Sequence, residues 1–207
     1  MHYDWLFIGL GNIGERYALT RHNIGFMVAE AFCAKHGAQF RAGSGEWSEA
    51  TVRLGSQNAL VILPTTYMNN SGKAAKKAAA RYFVLPERVV AIVDEYNFPV
   101  GKIHLKNSGS DGGHNGTASM IQELGTEKFL RLRCGIDHKF GTGELVDYVL
   151  KPFSDDEIAA RDAMIEQSVA ALELLMRVGT ARAMQLVNAG KIGTEKLSAG
   201  KLSAPSP

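Results

Sequence analysis

Two histidine–asparagine pairs carry the clearest chemistry in this sequence. His22-Asn23 falls in Thr20-Arg21-His22-Asn23-Ile24-Gly25, and His114-Asn115 falls in Asp111-Gly112-Gly113-His114-Asn115-Gly116. Each pair sets an imidazole that moves a proton near neutral pH beside a carboxamide that donates and accepts hydrogen bonds. Flanking glycines let the backbone turn tightly or approach a ligand closely. This suits hydrolytic or transfer chemistry on a polar, carbonyl-bearing substrate.

Other residues could complete such a site. Asp94 ends the apolar run Val89–Val93 and suits the carboxylate that fixes an imidazole tautomer, although a helix or turn cap would use it equally well. Pro64-Thr65-Thr66-Tyr67-Met68-Asn69-Asn70-Ser71-Gly72 joins a strand to a helix. One asparagine there would serve as an N-cap, and the other is then free for substrate or water. There is no G-x-S-x-G elbow and no histidine or cysteine spacing of the zinc kind, so the expectation is a water attack with histidine as base and no metal or cofactor.

Gly9-Leu10-Gly11-Asn12-Ile13-Gly14 matches the dinucleotide fingerprint and raises a nucleotide-binding oxidoreductase as a competitor. The pattern fails in two places. The next helix reads from near His22 instead of the third glycine, and Glu30 lies inside that helix instead of ending a second strand. The glycines are then a turn at the carboxyl edge of a sheet, with Asn12 as its interesting residue.

The elements that must position these residues alternate. Strands are expected at 4–10, 47–54, 58–63, 89–93, 101–106 and 130–136, and helices at 22–36, 70–83, 116–124 and 155–179. The long last helix carries Ile158, Ile165, Val169, Leu172 and Met176 on one stripe. This predicts an α/β fold, a single domain over 1–187 with a twisted mixed sheet flanked by helices. Residues 188–207 turn to Gly, Ser, Lys, Ala and Pro and read as a disordered tail.

With 207 residues, 45% hydrophobic and 21% charged, the chain reads as a soluble globular protein. Cys33 and Cys134 sit in apolar settings, no run reaches membrane-spanning length, and the N-terminus lacks a basic leader, so a cytoplasmic location is expected. A net charge of +2 places any phosphate recognition on local clusters. Lys73, Lys77 and Arg81 share a helix face with Lys76 adjacent, Lys102, His104 and Lys106 share a strand face, and so do Arg131 and Arg133. Together they suggest a phosphate-backbone track.

Assembled, these motifs closely resemble the bacterial-type peptidyl-tRNA hydrolase family. The likeness runs through Ile8-Gly9-Leu10-Gly11-Asn12-x-Gly14, Tyr17-x-x-Thr20-Arg21-His22-Asn23-x-Gly25-Phe26, and Pro64-x-Thr66-Tyr67-Met68-Asn69-x-Ser71-Gly72. It continues through Asp94, Gly112-Gly113-His114-Asn115-Gly116, Phe129-x-Arg131-Leu132-Arg133 and Asp147-Tyr148-Val149-Leu150.

The resemblance implies hydrolysis of the ester between a peptide and the ribose of tRNA. It assigns His22 as base, Asp94 as its partner, and Asn69 to the water or the base. Asn12 would hold the tRNA 3′ end, Asn115 the peptide backbone or the water, and His114, Met68 and Gly113 the peptide side. Tyr17, Asn23 and Tyr67 join the substrate-binding set, and Lys106 and Arg133 would touch tRNA at its acceptor stem. No membrane is involved, and a monomer is expected.

Three positions depart from the family pattern: Ile13 for a common proline, Asn97 for an acidic residue, and Asp137 for a glycine. Asp137 is placed to alter a loop near the basic track. A non-hydrolytic RNA-binding relative of the same fold is the main alternative function.

Overall fold

The apolar run after Asp4 forms β1 (Trp5–Gly9), buried at every position. It can be so because parallel neighbours flank it on both sides, β4 (Gln57–Pro64) and β5 (Val89–Glu95). Strands covered on both faces read as continuous apolar runs, and Val89-Val90-Ala91-Ile92-Val93 is the clearest of them. Toward the edges the pairing turns antiparallel: β3 (Trp47–Leu54) pairs with β4, and the two-residue β2 (Arg41–Ala42) pairs with β3. On the other side β7 (Leu130–Gly135) runs parallel to β5, and β6 (Ile103–Lys106) lies antiparallel to it at the edge. The order β2-β3-β4-β1-β5-β7-β6 makes a seven-stranded mixed sheet. The computed structural model describes residues 2–192.

Helices cover both faces. On one, α1 (Ile24–Lys35), α5 (Ile158–Val178) and α6 (Thr180–Asn188) bury Phe32, Leu172 and Val187 against Phe7, Ile92 and Leu132. On the other, the alanines of α2 (Ser71–Tyr82) and Met120 of α3 (Asn115–Leu124) close over Leu6, Ile8 and Leu60. Small side chains bring α2 and α3 together: a Cβ on Gly72 would lie 2.0 Å from the Ser119 carbonyl oxygen.

Three elements were not expected. These are β2, the short α4 (Leu145–Val149) and α6. Gly179, with φ 74°, separates α5 from α6 and ends the long helix at Val178. The boundary at residue 187 also needs correcting. Asn188 belongs with the sheet, because its side chain accepts the Leu105 N–H at 2.8 Å and donates to the Leu105 carbonyl at 2.9 Å. That pairing occupies backbone groups of the edge strand β6 that would otherwise stay open. The expected tail from residue 193 onward lies outside the described residues.

Candidate active site

Two glycines bring His22 to the carboxyl edge of the sheet. A Cβ on Gly25 would lie 2.3 Å from the Ile92 carbonyl oxygen, and one on Gly9 would lie 2.5 Å from the Gly25 carbonyl oxygen. Only glycine lets the start of α1 rest on the backbone of β1 and β5. Gly11 is equally constrained, since its Cβ would sit 2.6 Å from the Phe26 ring. The glycine-rich run therefore packs a helix against strands. Nine residues lie between Gly14 and Ile24, where α1 begins, and only the three-residue 3₁₀ turn Glu15–Tyr17 follows the third glycine directly, so no α-helix N-terminus stands there to receive a pyrophosphate.

The 3₁₀ turn Arg21–Asn23 holds His22 beside the end of β5, where Asp94 emerges. His22 Nδ1 lies 2.8 Å from Asp94 Oδ1, and His114 Nε2 lies 2.8 Å from the same oxygen. His114 is the N-cap of α3, and its Nδ1 accepts the Thr117 N–H at 3.2 Å. That bond fixes the His114 proton on Nε2, aimed at Asp94. The carboxylate thus receives Nδ1–H from His22 and leaves His22 Nε2 with a free lone pair. Sequence reasoning placed His114 only on the wall of the cleft and missed its bond to Asp94. The glycine-flanked second pair was the available signal.

His22, Asp94 and His114 also offer three ligand atoms within 4.8 Å of one another, a grouping invisible in their sequence spacing. Their geometry is that of hydrogen bonds, with one oxygen shared between two imidazole N–H groups.

Burial opposes charge on both partners and is outweighed on both. Burial alone would raise the Asp94 carboxyl, but the two imidazoles and their hydrogen bonds hold it well below the usual carboxylate range. Burial alone would lower His22, but the Asp94 charge and hydrogen bond raise it above its ordinary 6.5. A base must be unprotonated, and its neutral fraction falls as pH drops through the raised value. With His22 as the base, the acid limb of the kcat/KM–pH profile, which reports the free enzyme, is therefore expected to have its midpoint above pH 6.5. A midpoint at or below 6.5, measured on peptidyl-tRNA, would contradict this pairing.

The carboxamides divide into those that line the cavity and those held inside the fold. Asn12 is 8% exposed, and its Oδ1 accepts the Met68 N–H at 2.9 Å. Its Nδ2 is left to face the cavity it lines. Asn23, expected to bind substrate, is only 1% exposed. Its amide clamps the Asn12 backbone instead, accepting the N–H at 2.8 Å and donating to the carbonyl at 2.9 Å. Neither Asn69 nor Asn70 caps a helix with its side chain, and Asn69 is exposed on the cavity wall. Tyr17, also expected at the substrate, lies outside this wall in the 3₁₀ turn Glu15–Tyr17, with the Arg16 guanidinium over its ring.

The cavity holds about 500 Å³ and gathers Asn12, His22, Tyr67, Met68, Asn69, Asp94, Gly113, His114 and Asn115. One end is basic, with Lys106, Arg131 and Arg133 from β6 and β7. Arg131 is buried and gives its guanidinium to the carbonyls of Gly109 and Ser110, so it braces a loop. Arg133 pairs with Glu95, whose other oxygen accepts from Asn97. Lys106 has no carboxylate partner among the described residues. The lysines of α2 do not line this cavity, and Lys76 and Lys77 face Glu123 and Glu46.

Sequence reasoning also missed an apolar wall of Tyr96, Leu145, Val146 and Val149. It missed the tie beneath that wall as well. Arg21, next to His22, is buried and bonds Glu157 Oε2 at 2.6 Å and the Pro152 carbonyl, with its guanidinium 4.4 Å from the Tyr148 ring centroid. That tie fastens the turn carrying His22 to the segment after α4.

An imidazole–carboxylate pair, carboxamides on the cavity wall and nearby cations, at the carboxyl edge of an α/β sheet, are the kinds of group that hydrolysis of a polyanionic substrate calls for. Comparison with known proteins agrees. The family model described as Peptidyl-tRNA hydrolase matches residues 6–196. The peptidyl-tRNA hydrolase of Symbiobacterium thermophilum is 41% identical over 185 residues, covering 88% of this chain and 98% of its own. That of Mycobacteroides abscessus is 40% identical over 185 residues, with 89% and 94% covered. The crystal structure of peptidyl-tRNA hydrolase from Acinetobacter baumannii superposes with a TM-score of 0.85 at 31% identity, covering 91% of this chain and 97% of that one. The chain belongs to the peptidyl-tRNA hydrolase family, enzymes that release tRNA from peptidyl-tRNA. Among the described residues, no helix is long and apolar enough to cross a membrane.

Proposed function

We propose that His22 is the general base for water attack on the ester between peptide and tRNA ribose. The observation that carries this is the 2.8 Å bond from His22 Nδ1 to a carboxylate, with the other nitrogen free at a substrate-sized cavity. Water loses its proton to His22 Nε2 as its oxygen bonds the ester carbonyl carbon. The tetrahedral oxyanion then collapses, the bond to the ribose oxygen breaks, and His22 returns the proton to that oxygen. Asp94 stabilises the imidazolium between these steps.

Neutral donors suffice for the oxyanion and for holding the substrate. Asn12 offers Nδ2 to the 3′ end of tRNA, because its oxygen is already used. Asn115 opens α3, adding a helix N-terminus where negative charge develops, and takes the peptide backbone or the water. Asn69 positions the water. Met68, His114 and Gly113 line the peptide side with Tyr67, and a site gripping backbone need not read side chains. His114 also steadies Asp94 through its hydrogen bond.

Lys106 and Arg133 take the tRNA acceptor stem in this reading. Lys106→Ala is expected to weaken tRNA binding and to reduce the slope of log affinity against log salt by about one. An unchanged slope would remove Lys106 from the interface. All these groups come from one chain, in keeping with a monomer. Two free buried thiols, Cys33 and Cys134, and a ribosomal product as substrate fit the cytoplasm. Turnover of peptidyl-tRNA by the full chain tests the assignment; binding of tRNA without turnover would instead mark a non-hydrolytic RNA-binding relative.

A further inference from the structure

The segment after β7 carries chemistry that the hydrolytic step does not use. Asp137 stands there with φ 68°, a left-handed conformation that aspartate enters more readily than most residues. This explains how the chain does without the glycine common at that position. Its N–H donates to the Phe98 carbonyl at 2.8 Å, and its carboxylate accepts the His138 N–H at 2.8 Å. Lys139 pairs with both Asp137 and Glu157, at 3.3 and 3.1 Å. The loop is held from three directions.

So held, it builds a stack of rings. The His138 and Phe140 rings lie nearly parallel, with centroids 4.1 Å apart and planes 22° apart. Tyr96 meets both edge-on at 5.5 and 5.7 Å, and Phe140 rests 5.0 Å from Tyr148 of α4. Tyr96 forms part of the cavity wall, Phe140 is half-buried, and His138 is exposed. The His138 ring nitrogens have no hydrogen-bond partner among the described residues. Core packing does not account for an exposed imidazole fixed face-on in a three-ring cluster whose Tyr96 belongs to the cavity wall.

The substrate supplies a reason. Every peptidyl-tRNA ester sits on a ribose whose own nucleobase lies a few ångströms away, unpaired at the end of a single strand. Proteins hold such bases on aromatic faces, which tolerate any base because each has a π-surface. We propose that His138, braced by Phe140 and Tyr96, is the stacking platform for the tRNA base nearest the scissile ester. This rests on the proposed placement of the ester at His22, and it adds a nucleobase subsite to the basic and amide groups already assigned.

The test compares two small substrates, the N-acetylphenylalanyl esters of adenosine and of an abasic ribose. The readout is the ratio of their kcat/KM values, which a general loss of fold or of chemistry leaves unmoved. The parent is expected to favour the adenosine ester by about tenfold. His138→Ala should bring the ratio close to one, and His138→Phe, which restores a flat face without an imidazole, should recover it. A ratio unchanged in His138→Ala overturns the proposal. So does a preference that follows the peptide's last side chain instead of the base. Failure of the ester placement shows separately, as a His22→Ala variant that still hydrolyses the adenosine ester at the parent rate.

Discussion

Asp94→Asn is expected to lower kcat on peptidyl-tRNA by roughly 10²- to 10³-fold while leaving the fold intact. The side chain is buried and receives two hydrogen bonds on one oxygen. His114 keeps that oxygen in place, because its Nδ1 is committed to the Thr117 N–H and its Nε2 must donate. A carboxamide can therefore sit as the carboxylate did, with oxygen toward both rings. What disappears is the negative charge. Burial then acts on His22 unopposed by the Asp94 charge and pulls its pKa down, where the carboxylate had held it above 6.5. The ring becomes a weaker base, and the imidazolium formed during water attack loses its counter-charge. Two signatures should appear together: a lower plateau and an acid limb displaced to lower pH. A variant with a reduced plateau but an unmoved limb would show that Asp94 acts on something other than His22.

His22→Ala should cost more, about 10³-fold or greater in kcat, because no other group takes its proton. His114 cannot replace it. Both His114 nitrogens are occupied, one by the Thr117 N–H and the other by Asp94. KM should change little, since the amides and cations assigned to binding come from other elements. Residual activity would report the contribution of Asn12, Asn115 and the other donors to the transition state. A KM rise with kcat preserved would instead make His22 a binding residue.

How much of this was legible in the sequence depended on how local the signal was. The strands β1 and β5 were readable because central parallel strands need apolar residues at every position, and that need shows as an unbroken run. The start of α1 near His22 followed from periodicity after a glycine turn. The short helix α4 gave no such signal, having only five residues and two of them buried. α6 was hidden by its brevity and by Gly179, after which the composition was already drifting toward the tail.

The site divided in the same way. The pairing of His22 with Asp94 could be expected from the family motifs that carry them, since the end of a buried strand alone suits a turn cap as well as an orienting carboxylate. The bond from His114 to that same oxygen could not, since it depends on how the loop between β6 and α3 folds back. Asn23 shows the reverse limit. A motif position predicts that a residue matters, but not whether it faces the cavity or, like Asn23, holds the backbone of a neighbour that does. Arg21 and Glu157 are separated by 136 positions, and only the folded chain brings them together beneath the turn that carries His22.

In the proposed mechanism a neutral His22, oriented by Asp94, takes the proton from the attacking water. Single-turnover hydrolysis of peptidyl-tRNA, with enzyme in excess so that product release does not intrude, tests it most directly when the parent and His22→Ala are measured side by side. The parent is expected to release tRNA rapidly, and the variant at a rate about 10³-fold slower. A variant rate within a few-fold of the parent would contradict it.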